Sequence, residues 1–158
     1  MPTYSVSSVT ATLVASTAYT AIEIKPPAYC GAEIVKWWVE LNSVTAGNNN
    51  VLVQMGLFTA AVTTITAIAA ANVPKVDYGL NGLNAQCTVG VNASSEGAGT
   101  FVAYGEQHSI AANAGYMVWE PEDIAWQFLP SATSVRIRLT PGAAITSTTA
   151  TCGWTWKE

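Results

Sequence analysis

Apolar and polar residues alternate with a period of two at several places along this chain. In "SVRIRLT", the side chains of Val135, Ile137 and Leu139 share one face, and those of Arg136 and Arg138 share the other. Successive side chains of a strand point to opposite sides, so this pattern predicts a half-buried β-strand. Similar runs are "IEIK" (22–25), "EIVKWWVEL" (33–41), "VLVQMGLF" (51–58), "CTVGVNA" (87–93), "FVAYGEQ" (101–107), "GYMVWE" (115–120) and "TTATCGWTWKE" (148–158).

Turn-forming segments rich in Gly, Pro and Asn separate these runs. They recur every ten to twenty residues or so, at roughly the spacing of an all-β sandwich or barrel. The segment 61–71 is ambiguous, because its β-branched Thr residues oppose a helix, and it is predicted to be a loop or a short strand. The sequence therefore predicts an all-β fold in one domain spanning 1–158. The expected architecture is an antiparallel β-sandwich, jelly-roll-like.

The surface of such a domain must be poor in charge. Half of the residues are hydrophobic and 10% are charged, whereas roughly a quarter is usual for a soluble domain. With few charges, little prevents one protein surface from adhering to another. The formal net charge is −4 and the six Lys and Arg residues are scattered. Nucleic-acid binding needs clustered cations and is not expected.

No targeting segment is apparent at the start of the chain. It lacks the basic and apolar regions of a secretory signal, and the longest mainly apolar run, 61–73, is too short to span a bilayer. We expect a soluble protein that folds in a cytoplasm and contacts no membrane. The three cysteines, Cys30, Cys87 and Cys152, form no C-x-x-C motif. They are predicted to be buried reduced thiols, with one bridge and one free thiol as the alternative.

Residues with catalytic chemistry are few. The single histidine, His108, has no orienting partner nearby in the sequence and is expected at the surface. Glu120, Glu122 and Asp123 lie near two tryptophans. A glycosidase uses paired carboxylates in its active site, but in a Pro-containing turn these three are expected to be solvated. One His and three dispersed Cys do not form a zinc site. We expect no enzyme activity, no metal and no cofactor, and a small hydrolase is the least favoured class.

The paired tryptophans at 37 and 38 must point to opposite faces of their strand. Alternation predicts an inner face of Val35, Trp37, Val39 and Leu41 and an outer face of Ile34, Lys36, Trp38 and Glu40. Phe58 and Tyr104 are likewise predicted to point outward. Outward aromatic side chains on a charge-poor surface favour burial by another chain, so Trp38, Phe58 and Tyr104 are candidate subunit-interface residues. The alternative is a platform on which a sugar ring stacks.

Several segments together resemble a known class of proteins. They are "AIEIKPPA", "AEIVKWWVEL", "VQMGLFTA", "GYMVWEPEDIAWQFLPSATSVRIRLT" and "CGWTWKE". This combination is similar to the small jelly-roll structural proteins of tailed bacteriophages, which include head decoration (cement) proteins. The matching positions are Glu23-Ile24, 56–60, 119–128 and 154–158. The departures are the Thr- and Ala-rich segment 61–71 and the low charge.

The resemblance implies a non-enzymatic virion protein on the capsid surface. Such a protein forms homo-oligomers, with a trimer expected, and stabilises the lattice of the phage major capsid protein through many contacts. Residues 1–20 would then form an arm or added strand that contacts a neighbour, or else the first strand of the sandwich itself. The alternative function is a carbohydrate-binding module or a phage fibre (receptor-binding) protein that uses exposed tryptophans.

Overall fold

The structure, a computed structural model, describes residues 1–29, 31–43, 49–59, 64–69, 72–76, 84–96, 99–113, 115–120, 126–128, 134–145 and 147–158. These ranges contain strands and no α-helix. The strands are β1 (Thr3–Ser7), β2 (Ala11–Thr12), β3 (Tyr19–Lys25), β4 (Ala32–Ser43), β5 (Asn50–Phe58), β6 (Thr64–Ile68), β7 (Thr88–Ser95), β8 (Phe101–Ala111), β9 (Tyr116–Trp119), β10 (Trp126–Phe128), β11 (Ser134–Pro141) and β12 (Thr148–Lys157).

The strands form two antiparallel sheets that pack face to face. Sheet A has the order β1-β12-β4-β10, with β2 paired to β12 and β9 paired to β4. Sheet B has the order β6-β7-β3-β11-β5-β8. The chain passes repeatedly from one sheet to the other, which is how a jelly roll is wound. The predicted antiparallel, jelly-roll-like sandwich is confirmed.

The core lies between the sheets and is rich in tryptophan. Trp37, Trp154 and Trp156 are fully buried, together with Cys152. Sheet B supplies mainly aliphatic side chains, such as Met55. The C-terminal alternation, which predicted Cys152, Trp154 and Trp156 on one face, is confirmed. Burial of large aromatic surfaces makes this end of the chain a main source of stability.

One part of the predicted inner face of 33–41 is wrong. Ile34 is fully buried, whereas Val35 is only partly buried. The pairing of β4 with β12 shifts by one residue between Thr155 and Trp156, which leaves Val35 as an extra residue in β4. Such a β-bulge reverses the alternation on one side of it. The assignment from residue 37 onward is unaffected.

The N-terminal residues lie in the sandwich of their own chain. β1 pairs with β12, and the ring of Tyr4 stacks on that of Trp156 with centroids 5.7 Å apart. The free edge of β1 is covered by the segment 74–76, since the amide of Ser5 donates to the Pro74 carbonyl at 3.0 Å. Residues 3–7 are therefore the first strand of the sandwich.

Two of the three cysteines, Cys87 and Cys152, are described. Both are buried and neither is part of a disulfide. Cys30 lies outside the described residues. Burial raises the pKa of the Cys152 thiol above its ordinary range because the thiolate would be desolvated. Among the described residues there is no helix of the length and apolar character needed to cross a bilayer.

Candidate interaction surface on the outer face of sheet A

The side of sheet A that points away from the core carries an aromatic side chain at its centre. Trp38 on β4 lies directly opposite Gly153 on β12 and Val118 on β9. A Cβ atom at Gly153 would lie only 2.2–2.6 Å from Nε1, Cε2 and Cζ2 of Trp38. The indole therefore lies close against the bare backbone of Gly153. Trp38 is partly buried, as the predicted outward orientation requires.

We call this surface the outer face of sheet A. It is made by the residues that alternate away from the core on four neighbouring strands: Ser5 and Ser7 on β1, Thr151, Gly153 and Thr155 on β12, Lys36, Trp38 and Glu40 on β4, and Tyr116 and Val118 on β9.

One half of this face is apolar with charged groups at its border. Tyr116 is 64% exposed and Val118 is 38% exposed. The ammonium of Lys36 lies 2.5 Å from the carboxylate of Glu120, just after β9. This hydrogen bond raises the pKa of Lys36 despite the opposing effect of desolvation. Glu40, on the other side of Trp38, is exposed. An apolar centre with a polar border is the organisation of a protein-binding patch.

The other half, on β1 and β12, carries short hydroxyl side chains. Thr155 donates a hydrogen bond to Ser5 Oγ at 3.4 Å, and the hydroxyls of Thr10 and Thr151 lie 3.0 Å apart. These side chains are short and uncharged. The surface beside Trp38 is therefore low and uncharged.

The outer face of sheet B is different, because its large central side chains are covered. Phe58 lies on this face, as predicted, but it is only 3% exposed. The guanidinium carbon of Arg136 lies 3.7 Å from the centre of its ring. Phe101 is also adjacent, with its ring centroid 6.4 Å from that of Phe58. The ring of Phe58 is therefore covered by other side chains of the same chain.

Arg136 itself is fully buried on this outer face. Its Nε donates to the Glu23 carboxylate at 2.7 Å, and its Nη1 donates to the Glu96 carbonyl at 3.0 Å. Burial lowers the pKa of Arg136, and the nearby carboxylate of Glu23 opposes this shift. Alternation correctly placed Glu23 and Arg136 opposite the core side, but their expected exposure to solvent is wrong.

The remaining candidate residues are not gathered into one site. The structure describes Tyr104 as part of β8 but not the position of its side chain. His108 is a partly buried residue of the same strand. Glu120 is paired with Lys36, while Glu122 and Asp123 lie outside the described residues. Within the part of the chain that is described, no three His, Cys, Asp or Glu side chains are grouped as metal ligands would be.

Sequence reasoning did not find Gly153, Tyr116 and Val118 as parts of the surface. A glycine inside the alternating run "TCGWTW" is a signal for close approach by another group. The partner of that glycine depends on the pairing of β12 with β4, about a hundred residues apart, and local sequence does not specify it.

Comparison with models of protein families finds no match to this chain, and comparisons with curated proteins and with solved structures likewise find none.

Proposed function

We propose that this protein is a non-enzymatic structural protein that works by adhesion. It binds neighbouring protein subunits through the outer face of sheet A. The observation that carries this proposal is the placement of Trp38, a partly exposed indole on the outer face that lies against Gly153, beside exposed Tyr116 and Val118. Aromatic side chains at the centre of a patch contribute most to protein–protein binding.

The setting we propose is the surface of a phage capsid, where the protein acts as a decoration (cement) protein. Its partners are further copies of itself and the major capsid protein, and neither nucleic acid nor a membrane is a partner. The similarity in sequence pattern to phage jelly-roll proteins and the jelly-roll-like winding both support this setting. A charge-poor surface suits a protein that is surrounded by neighbours. Weak contacts repeated over a lattice add up to strong attachment.

The test is binding to particles. In virions of the phage that encodes it, the protein should be present in stoichiometric ratio to the major capsid protein. Particles that lack it should release DNA at a lower temperature. Added back, the natural chain should bind and restore stability, whereas Trp38→Ala should not. Tyr29→Ala is the matched control, because Tyr29 is an exposed aromatic outside the outer face of sheet A. Equal binding of natural chain and Trp38→Ala would contradict the proposal.

A second candidate function is carbohydrate binding, as in a phage fibre or receptor-binding protein. The partly exposed indole of Trp38 favours it, since the face of a pyranose ring stacks on aromatic side chains. The hydroxyl groups beside Gly153 would border such a sugar. A glycan array probed with the natural chain and Trp38→Ala separates the candidates. Glycan signals that disappear in the variant would support this function, and a blank array would exclude it for the sugars present.

A further inference from the structure

The charges on the outer face of sheet A have a regular arrangement about Trp38. Lys36 and Glu40 lie on the same strand, each two residues from Trp38 and on the same face. They have opposite signs and lie on opposite sides of the indole. A rotation by 180° about an axis that lies in the plane of this face, passes through Trp38 and runs perpendicular to β4 therefore places a positive position opposite a negative one.

We propose that the outer face of sheet A binds the same face of a second copy of this chain across a two-fold axis that passes near Trp38. In this arrangement Lys36 of each copy faces Glu40 of the other, and the two indoles meet in the centre. The inference rests on the proposed function, since it names the partner of the same surface. A two-fold contact requires a self-complementary patch, and this charge pattern is self-complementary.

The internal ion pair of Lys36 is compatible with this contact. An ammonium group has three N–H donors, and the bond to Glu120 uses one of them. The carboxylate of Glu40 is exposed and available. The two-fold contact therefore adds two ion pairs without breaking those within each chain. Two indoles that meet in an offset stack would add to this association.

The size of the face indicates how strong the contact is. Four strands about 4.8 Å apart and a length of about 20 Å give roughly 400 Å² per partner. Stable complexes bury about 800 Å² per partner, so this one is of the weak class. We expect a dimer of twice 16.6 kDa that dissociates on dilution and that weakens as salt screens its ion pairs.

The experiment is sedimentation equilibrium of the full chain over a concentration series, with charge reversals at two positions. Lys36→Glu and Glu40→Lys should each lower the association constant about tenfold or more, because two contacts change from attraction to repulsion. The swapped double variant, Lys36→Glu with Glu40→Lys, should recover most of the natural association. Glu120→Gln is the control: it removes the internal ion pair of Lys36 and should leave dimerisation within a few-fold of natural.

Other outcomes would overturn the inference. A natural chain that stays monomeric at every concentration would do so, as would a double variant no better than the single ones. Circular dichroism verifies that each variant is folded. The binding test on particles separates this failure from failure of the proposed function. If the chain is monomeric but binds particles through Trp38, only the two-fold contact is refuted. If binding to particles does not depend on Trp38, the proposed function itself is refuted.

Discussion

The two outer faces of this sandwich use similar residue types in opposite ways. On sheet B, Arg136 is fully buried and packs against Phe58 and Glu23. On sheet A, Lys36 and Trp38 occupy comparable central positions but remain partly accessible. The same alternation of apolar and polar residues thus gives one face completed by intramolecular contacts and another that is open. The open face is the one suited to binding another molecule.

A glycine lies beside the large central side chain on each face, but the two glycines have different surroundings. Gly56 is paired with Arg136 on sheet B, and a Cβ there would lie 2.2 Å from the backbone oxygen of Val102. At Gly153 on sheet A, the same atom would meet only the indole of Trp38 among its nearest contacts. At Gly56 the neighbouring atom belongs to the backbone and cannot move aside. At Gly153 the neighbouring atoms belong to the Trp38 side chain, which can rotate.

A large effect is expected from loss of the buried charge on sheet B. Arg136→Ala leaves the Glu23 carboxylate buried without its cation and should lower the free energy of unfolding by about 3–5 kcal/mol. Urea unfolding followed by tryptophan fluorescence measures it. Lys36→Ala is the matched control, because the side chain of Lys36 is 38% exposed on the outer face of sheet A, and its loss should be about 1 kcal/mol or less. Equal effects of the two variants would contradict the contrast between covered and open charges.

The buried ion pair of Glu23 and Arg136 can also be replaced by two apolar side chains. The double variant Glu23→Leu with Arg136→Met removes both charges and keeps apolar volume in place. We expect it to recover most of the stability lost in Arg136→Ala, since buried ion pairs are often exchanged for apolar groups at little cost. A double variant as unstable as the single one would show that hydrogen bonds of Arg136, such as the one to the Glu96 carbonyl, are the main contribution.

The two glycines should respond differently to an added methyl group. Gly56→Ala forces a backbone contact and should cost about 1–3 kcal/mol. Gly153→Ala should cost less, about 1 kcal/mol or below, and should shift the tryptophan fluorescence as the indole moves away. In a Trp38→Ala background, Gly153→Ala should be neutral or stabilising, because alanine suits a strand better than glycine. A double-mutant cycle in urea tests this, and purely additive effects would refute the stacking of Trp38 on Gly153.

Adjacent tryptophans should have very different effects on stability. Trp37→Ala empties a fully buried site and should cost about 3–5 kcal/mol. Trp38→Ala should cost about 1 kcal/mol or less and instead impair self-association and particle binding. Thermal unfolding, run beside the sedimentation assay, separates the two. A large loss of stability in Trp38→Ala would mean that this side chain has a structural role rather than an adhesive one.

A small effect on stability is expected at alkaline pH. The pKa of Cys152 is raised in the folded state, so the folded chain keeps its proton while the unfolded chain loses it above the ordinary value of 9.0. The contribution to stability is complete below pH 9 and falls as pH rises, by about 1.4 kcal/mol at pH 10. Cys152→Ala should show a flatter curve between pH 8 and 10 in urea unfolding. An unchanged slope would show that Cys152 does not titrate on unfolding.

Much of the fold could be predicted from the sequence, because alternation is a local property. The faces of β3, β5, β11 and β12 follow directly from it, as the buried Cys152, Trp154 and Trp156 show. The interaction surface could be predicted in part. Trp38 was placed correctly on the outer face, but Gly153 and Tyr116 join it only through strand pairing.

The amino-acid sequence by itself determined which side of each strand is apolar, since side-chain direction changes at every residue. It did not determine where that rule is interrupted: the bulge at Val35 arises from the pairing of β4 with β12. Nor did it determine which outer face is covered. Whether a charged residue such as Arg136 or Lys36 meets solvent depends on distant residues that pack over it, and only the tertiary structure brings those residues together.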